Sequence, residues 1–216
     1  MNEKQGRLME KSVLYALLLA LFAHVAFASS DDKIDESMIS SGAISPKSAQ
    51  EDANNLDKQS YAGLEDVFLD TKTITPNGKY MLLVFGKNGC AYCELLKKDI
   101  KQRQDLKNFI KQHYSAYYIN ISYSKMHAFK IGTKKKPREV VLSTSQLAQV
   151  YDVSSTPTIV LADSDGKTIY ELPGYMPSKQ FLAVLEFIGN GLYKGITDDK
   201  VFVEKLRDYI LKKSRA

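Results

Sequence analysis

The 216-residue chain reads as an α/β protein. A central mixed sheet of about four to five strands carries helices on both faces, and one more helix is added at the C-terminus. Three observations predict this. From Tyr61 onward, segments with helical and strand-like patterning follow one another as helix, strand, long helix, strand, insertion, helix, strand, strand, helix, helix. The run "KYMLLVFG", 79–86, is apolar without alternation, as a strand buried on both faces requires. Near the C-terminal end, "TPTIVLADSDGKTIYELP" holds two apolar runs joined by an Asp-Gly turn.

Each element has its own signal. In "YAGLEDVFLDTK", Leu64, Val67 and Phe68 stand at helical spacing. "TPNG", 75–78, is a turn that opens the first strand. "AYCELLKKDIKQRQDLKNFIKQHY" reads as one long helix with Leu95, Leu96, Ile100, Leu106, Phe109 and Ile110 mainly on one side and lysines on the other. "AYYINIS", 116–122, is a strand. Residues 124–143 form an insertion that is basic in its middle and leans toward β structure, with a hairpin around Gly132. "TSQLAQVYDV" predicts a short helix capped by Thr144. Pro177 and Ser178 open a helix that Asn190-Gly191 closes. The final helix spans 197–213, with Thr197 as its cap.

The N-terminal end belongs to no globule. Lys4, Arg7 and Lys11 precede an apolar run from Val13 to Ala28 that closes on Ala26-Phe27-Ala28, the small-x-small pattern of a cleaved secretory signal. His24 interrupts the run and makes it a poor bilayer span, so a retained anchor is the lesser alternative. Residues 1–28 are therefore expected to be removed, with the cut near Ala28, and the mature chain to be periplasmic. Residues 29–60 are Ser-rich and polar and read as a flexible linker with room for one short helix. Residues 61–216 are the folded domain. That domain carries 24 Lys and Arg against 16 Asp and Glu, which reads as a solvated basic surface rather than a site for acidic partners or a membrane surface, and no nucleic-acid partner is expected.

The chain has two cysteines, Cys90 and Cys93, and they allow three roles. A zinc or iron–sulfur site wants about four ligands, and His113 and His127 have no partner at ligand spacing. A structural disulfide three residues apart closes too short a loop to stabilise much. A redox switch fits the placement better. Cys90 follows a strand and a Lys-Asn-Gly loop and sits where the long helix begins, so backbone N–H groups and the helix dipole favour its thiolate. Cys93 lies one turn on, on the same side. In thiol–disulfide exchange Cys90 would then form the mixed disulfide and Cys93 would resolve it.

With "GCAYC" and "SSTPT", 154–158, the chain resembles the thioredoxin superfamily over about residues 61–193. The resemblance implies that Thr156-Pro157 is cis and faces the cysteines, leaving the Thr156 backbone free to pair with a substrate peptide. It also implies that Gly174 lies near the active site. "STPTIVLADSDGK", "LPGYMPSKQFLAVLEFIGNGLY" and the added end helix look like the exported thioredoxin-like proteins of bacterial sulfur-oxidation clusters.

Some positions depart from the family. Val84 stands six residues before Cys90, where thioredoxins carry a buried Asp, and Gly89 replaces the usual Trp. Glu94 and Lys87 flank the site and are candidates to replace that base. Tyr92 before the second cysteine, with Thr156 before the proline, is similar to periplasmic disulfide isomerases. The resulting expectation is a monomeric, periplasmic thiol–disulfide oxidoreductase, most simply a reductase. Cys90 is the nucleophile, Cys93 the resolving thiol, and Thr156, Pro157, Gly174 and Tyr92 line the substrate site. It needs no cofactor or metal, takes protein disulfides, and is recharged by a membrane electron donor. The alternatives are a disulfide oxidase or isomerase, and a partner-binding protein that uses the basic insertion and Tyr175.

Overall fold

The computed structural model describes residues 47–133 and 135–215. The expected signal segment, 1–28, and the first part of the expected linker, 29–46, lie outside the described residues. The described elements are α1 (Lys47–Gln59), β1 (Thr73–Ile74), β2 (Tyr80–Gly86), α2 (Ala91–Gln102), α3 (Gln104–His113), β3 (Tyr114–Asn120), β4 (Met126–Thr133), β5 (Lys136–Ser143), α4 (Thr144–Val150), β6 (Thr158–Ala162), β7 (Thr168–Pro173), α5 (Ser178–Gly189) and α6 (Asp199–Arg215).

The central sheet has the order β3-β2-β6-β7. Strand β2 runs parallel to β3 and antiparallel to β6, and β7 returns antiparallel to β6. A smaller sheet, β1-β4-β5, is the insertion hairpin joined by the two residues of β1.

Side chains alternate across β2, which explains its unbroken apolar run. Leu82 and Val84 face a core built with Leu96 and Ile100 of α2, Leu106 and Ile110 of α3, and Phe181, Val184 and Ile188 of α5. Met81, Leu83 and Phe85 face the other way, against Ile74, Phe129, Leu147 of α4 and Tyr151. Both faces are closed to water, and each fully buried side chain of this size contributes about 1.5–3 kcal/mol.

The register of this sheet assembles the site. Phe85, near the C-terminal end of β2, pairs with Thr158, the first residue of β6. Thr158 pairs in turn with Pro173, the last residue of β7. The loop after β2, the Thr156-Pro157 bond before β6 and Gly174 after β7 are therefore brought to one edge of the molecule. That edge is the carboxyl end of the parallel strands, where open α/β sheets place their sites.

Several elements differ from the sequence reading. Residues 61–72 form turns rather than a helix, although Leu64, Val67 and Phe68 are buried. The single turn is closed by Phe68 N–H donating to the Leu64 carbonyl at 2.9 Å, and the chain then leaves to bridge β3 through Phe68 and Ala116. The long helix is two helices, broken at Arg103, which is extended (φ −101°, ψ 100°). A straight rod of that length would run about 36 Å, while a seven-residue strand spans about 23 Å. The break folds α3 back over the sheet.

Helix α1 occupies 47–59, inside the segment read as flexible linker, and its Asp57 is buried. Helix α4 is capped by Ser143, in a capping box with Gln146, rather than by Thr144. Helix α6 begins at Asp199 rather than 197, and Asp198 accepts the Val201 N–H at 3.0 Å in the capping role expected of Thr197.

Candidate functional site

Cys90 is the N-cap residue of α2, extended at φ −92°, ψ 101°. Its Sγ accepts the Cys93 N–H at 3.1 Å. The sulfur thus sits at the positive end of the helix and takes one of the amides that a helix start leaves unpaired. The Cys93 sulfur lies 2.13 Å away, at disulfide distance, with the two Cα atoms 5.2 Å apart. Cys93 is wholly buried, and Cys90 keeps 6% exposure. Only the first sulfur is open to attack or to attacking.

The loop before Cys90 is fixed by side chains that the sequence reading missed. Asn120 at the end of β3 donates from Nδ2 to the Asn88 Oδ1 at 2.8 Å. Asn88 donates through its backbone to the Ser122 Oγ at 3.0 Å and through Nδ2 to the Tyr123 hydroxyl at 2.9 Å. Gly89 then turns the chain at φ +67°, in the left-handed region that glycine occupies freely. The Asn-Gly pair was the only local signal for this loop.

The Thr156-Pro157 peptide bond is cis, and the Thr156 carbonyl oxygen lies 3.4 Å from the Cys90 Sγ. Gly174 adopts φ +90° and donates its N–H to the Pro157 carbonyl at 2.7 Å. Cys90, Cys93, Thr156, Pro157 and Gly174 therefore form one cluster. Tyr92 joins its rim, 60% exposed, with its ring stacked on Tyr175 at 6.0 Å and 19°. The Tyr175 hydroxyl donates to Asp99 Oδ2 at 2.7 Å, and this hydrogen bond is the main cause that pushes the phenol up to about 12.

Val84 is buried in the apolar core beneath α2. Glu94 turns to Lys97, 2.7 Å away, and its side chain remains 69% exposed. Lys97 donates to the Ser60 carbonyl at 2.6 Å and lies 5.4 Å above the Tyr118 ring. Burial pushes the Tyr118 hydroxyl well above its ordinary range. Glu94, Lys97, Tyr118, Asn88 and Asn120, with Lys87, line a polar cavity of about 430 Å³ beside the cysteine loop. Glu94 and Lys87 are thus on the wall of one cavity.

A family profile described as a thioredoxin-like domain matches residues 67–189. A thioredoxin-fold protein from Helicobacter pylori, known from its solved structure, is 64% identical. The match covers 74% of this chain and 99% of that one, with a TM-score of 0.73. A thioredoxin-like protein from Clostridium perfringens is 18% identical over 63% of this chain and 91% of its own, with a TM-score of 0.40. No curated protein matches.

Proposed function

Because the chain belongs to the thioredoxin-like family, we propose that it is an exported thiol–disulfide oxidoreductase that reduces protein disulfides. The observation that carries this reading is the seat of Cys90. It is the accessible sulfur of the pair, it accepts a backbone N–H at the start of α2, and it faces the Thr156 backbone at a cis-proline.

In the reduced protein the Cys90 thiolate attacks one sulfur of a substrate disulfide. The Cys90–substrate bond forms, the substrate S–S bond breaks, and one substrate thiolate leaves. Cys93 then gives up its proton, and its thiolate attacks the Cys90 Sγ. The mixed disulfide breaks, the second substrate thiol leaves, and the Cys90–Cys93 disulfide remains. Two electrons have passed to the substrate. A membrane-bound dithiol donor is the class of partner that would return them. An extended substrate strand beside Cys90 would pair with the Thr156 backbone, while Pro157, Gly174 and Tyr92 border its path.

Two features of the surroundings of Cys90 support the reducing direction. Among the described residues one N–H donates to Cys90 Sγ, and the Thr156 carbonyl oxygen faces that same sulfur. A carbonyl oxygen opposes negative charge on its neighbour, and no histidine lies between the cysteines. A moderately stabilised thiolate makes a reductant rather than a strong oxidant. The signal-like N-terminus supports action outside the cytoplasm, and the motifs shared with the sulfur-oxidation type suggest that subtype.

Trapping tests the assignment of roles. Cys93→Ala is expected to accumulate substrates as mixed disulfides through Cys90, seen as thiol-sensitive bands on non-reducing gels. Cys90→Ala is expected to accumulate none. Equal trapping by the two variants would contradict the assignment.

A further inference from the structure

We propose that Asp99 is a positioning residue. It holds a two-ring aromatic ledge, Tyr92 on Tyr175, that selects substrate polypeptides with an aromatic or large apolar side chain next to the reacting cysteine. The inference rests on the oxidoreductase reading above and names the substrate class of that same site.

Tyr92 stands between the two cysteines and is 60% exposed, on the first turn of α2. A ring so placed on a helix surface would ordinarily sample several rotamers. Here it rests on Tyr175 at 6.0 Å, nearly parallel at 19°. Tyr175 is held at its other end, where its hydroxyl donates to Asp99 Oδ2 at 2.7 Å. Asp99 lies seven residues after Tyr92, two turns along the same stripe of α2. The Tyr175 ring therefore spans from Asp99 to Tyr92 along one helix face.

The loop that delivers Tyr175 is tied to the peptide-facing side of the site as well. Gly174 donates its N–H to the Pro157 carbonyl at 2.7 Å. One residue after the platform of Thr156 and Pro157 has its partner, the chain turns into the ledge. Leu95, 42% exposed, stands one turn on from Tyr92 along α2, and Met176, which follows Tyr175, packs against the core.

This arrangement turns one face of the Tyr92 ring to Tyr175 and leaves the side chain 60% exposed. An extended polypeptide bound through backbone atoms at Thr156 turns alternate side chains to opposite sides. With its cysteine at Cys90, a flanking side chain meets the ledge. A fixed aromatic face favours another ring or a large apolar group, by about three- to tenfold for a single stacked pair.

The test uses the full chain in its reduced form and two matched peptides. Each peptide carries one cysteine as a mixed disulfide with thionitrobenzoate, and they differ only in a Phe or a Ser beside that cysteine. Attack by Cys90 and resolution by Cys93 release both thiols and leave the protein oxidised, so the coloured thiol reports each turnover. Single-turnover rates against peptide concentration separate half-saturation from the limiting rate.

The wild-type chain is expected to half-saturate at an about three- to tenfold lower concentration of the Phe peptide. Asp99→Ala is expected to bring that ratio close to one through half-saturation, with the limiting rate unmoved. Asp99→Asn keeps an acceptor oxygen and is expected to retain the preference. A wild-type ratio of one, or an Asp99→Ala ratio equal to that of wild type, overturns the ledge and leaves the oxidoreductase reading intact. Failure of the reduced wild-type chain to react with either peptide overturns both.

Discussion

Lys125 carries its charge into the interior, with its side chain only 3% exposed. It holds Asp57 Oδ2 at 3.1 Å and donates to Thr71 Oγ1 at 2.8 Å, with Asp70 at 3.6 Å. Beside it lies buried His127. Thr71's carbonyl oxygen, 2.7 Å from Nδ1, can only accept, so Nδ1 holds the proton, and Nε2 meets the Thr144 hydroxyl at 3.0 Å. Burial is the main cause that lowers the His127 pKa from 6.5; the hydrogen bond to the Thr71 carbonyl opposes it, Lys125 lowers it further, and Asp57 and Asp70 oppose it to smaller extents. A folded-state pKa below the unfolded value means that the unfolded chain binds more protons in this window. Stability from His127 is therefore complete above pH 6.5 and is lost as pH falls through 6.5 toward the lower folded value. The urea midpoint of the wild-type chain is expected to fall between about pH 7.5 and 5.5, and His127→Gln to reduce that dependence. An equal slope in the two proteins would remove His127 from the account. The shifted carboxylates, Asp66, Asp70 and Asp105, lowered from 3.8, and Glu65, lowered from 4.5, titrate below this window.

At the scale of elements, α1 is the piece that hydropathy could not assign. Its described face offers Leu56 at 40% exposure, so an apolar count finds no reason to dock it. What docks it is Asp57, reaching Thr71 at 2.6 Å and the ammonium of Lys125. A polar anchor between residues 68 positions apart has no periodicity to reveal it. The consequence is measurable. A chain that begins at residue 47 keeps the pair, and one that begins at 61 leaves Lys125 buried without Asp57. The shorter chain, in which Lys125 keeps only Asp70 at 3.6 Å, is expected to unfold at a lower urea concentration. Equal midpoints would show that α1 contributes nothing. The elements that were legible had the opposite character. Strand β2 announced itself through an apolar run, the 126–143 hairpin through Gly132, and α5 through Pro177 and Asn190-Gly191. The break at Arg103 was illegible because Leu106 and Ile110 continue the apolar stripe of Leu96 and Ile100.

For the molecule as a whole, the site is a product of register. The cysteines could be recognised locally, since a CxxC at a strand–helix junction has a chemical meaning of its own. The surroundings were legible only in part, since the family resemblance implied Thr156-Pro157 and Gly174 while nothing local pointed to Asn120 or Asp99. Asn88 finds Asn120 across 32 positions, Cys90 meets Thr156 across 66, and Tyr175 finds Asp99 across 76. Each contact exists because β2 lies between β3 and β6, and β6 beside β7. The same topology leaves Val84 in the apolar core, so the polar wall of the neighbouring cavity comes instead from Glu94, Lys97 and Tyr118.

The proposal that Cys90 and Cys93 form a reversible pair poised to reduce turns on one quantity, their reduction potential. Equilibrating the full chain with glutathione buffers and counting its free thiols measures that poise directly. With one N–H on the Cys90 sulfur and a carbonyl oxygen facing it, the pair is expected to equilibrate in the thioredoxin range, about −270 mV. A potential near about −120 mV, that of a strong disulfide oxidant, would contradict it.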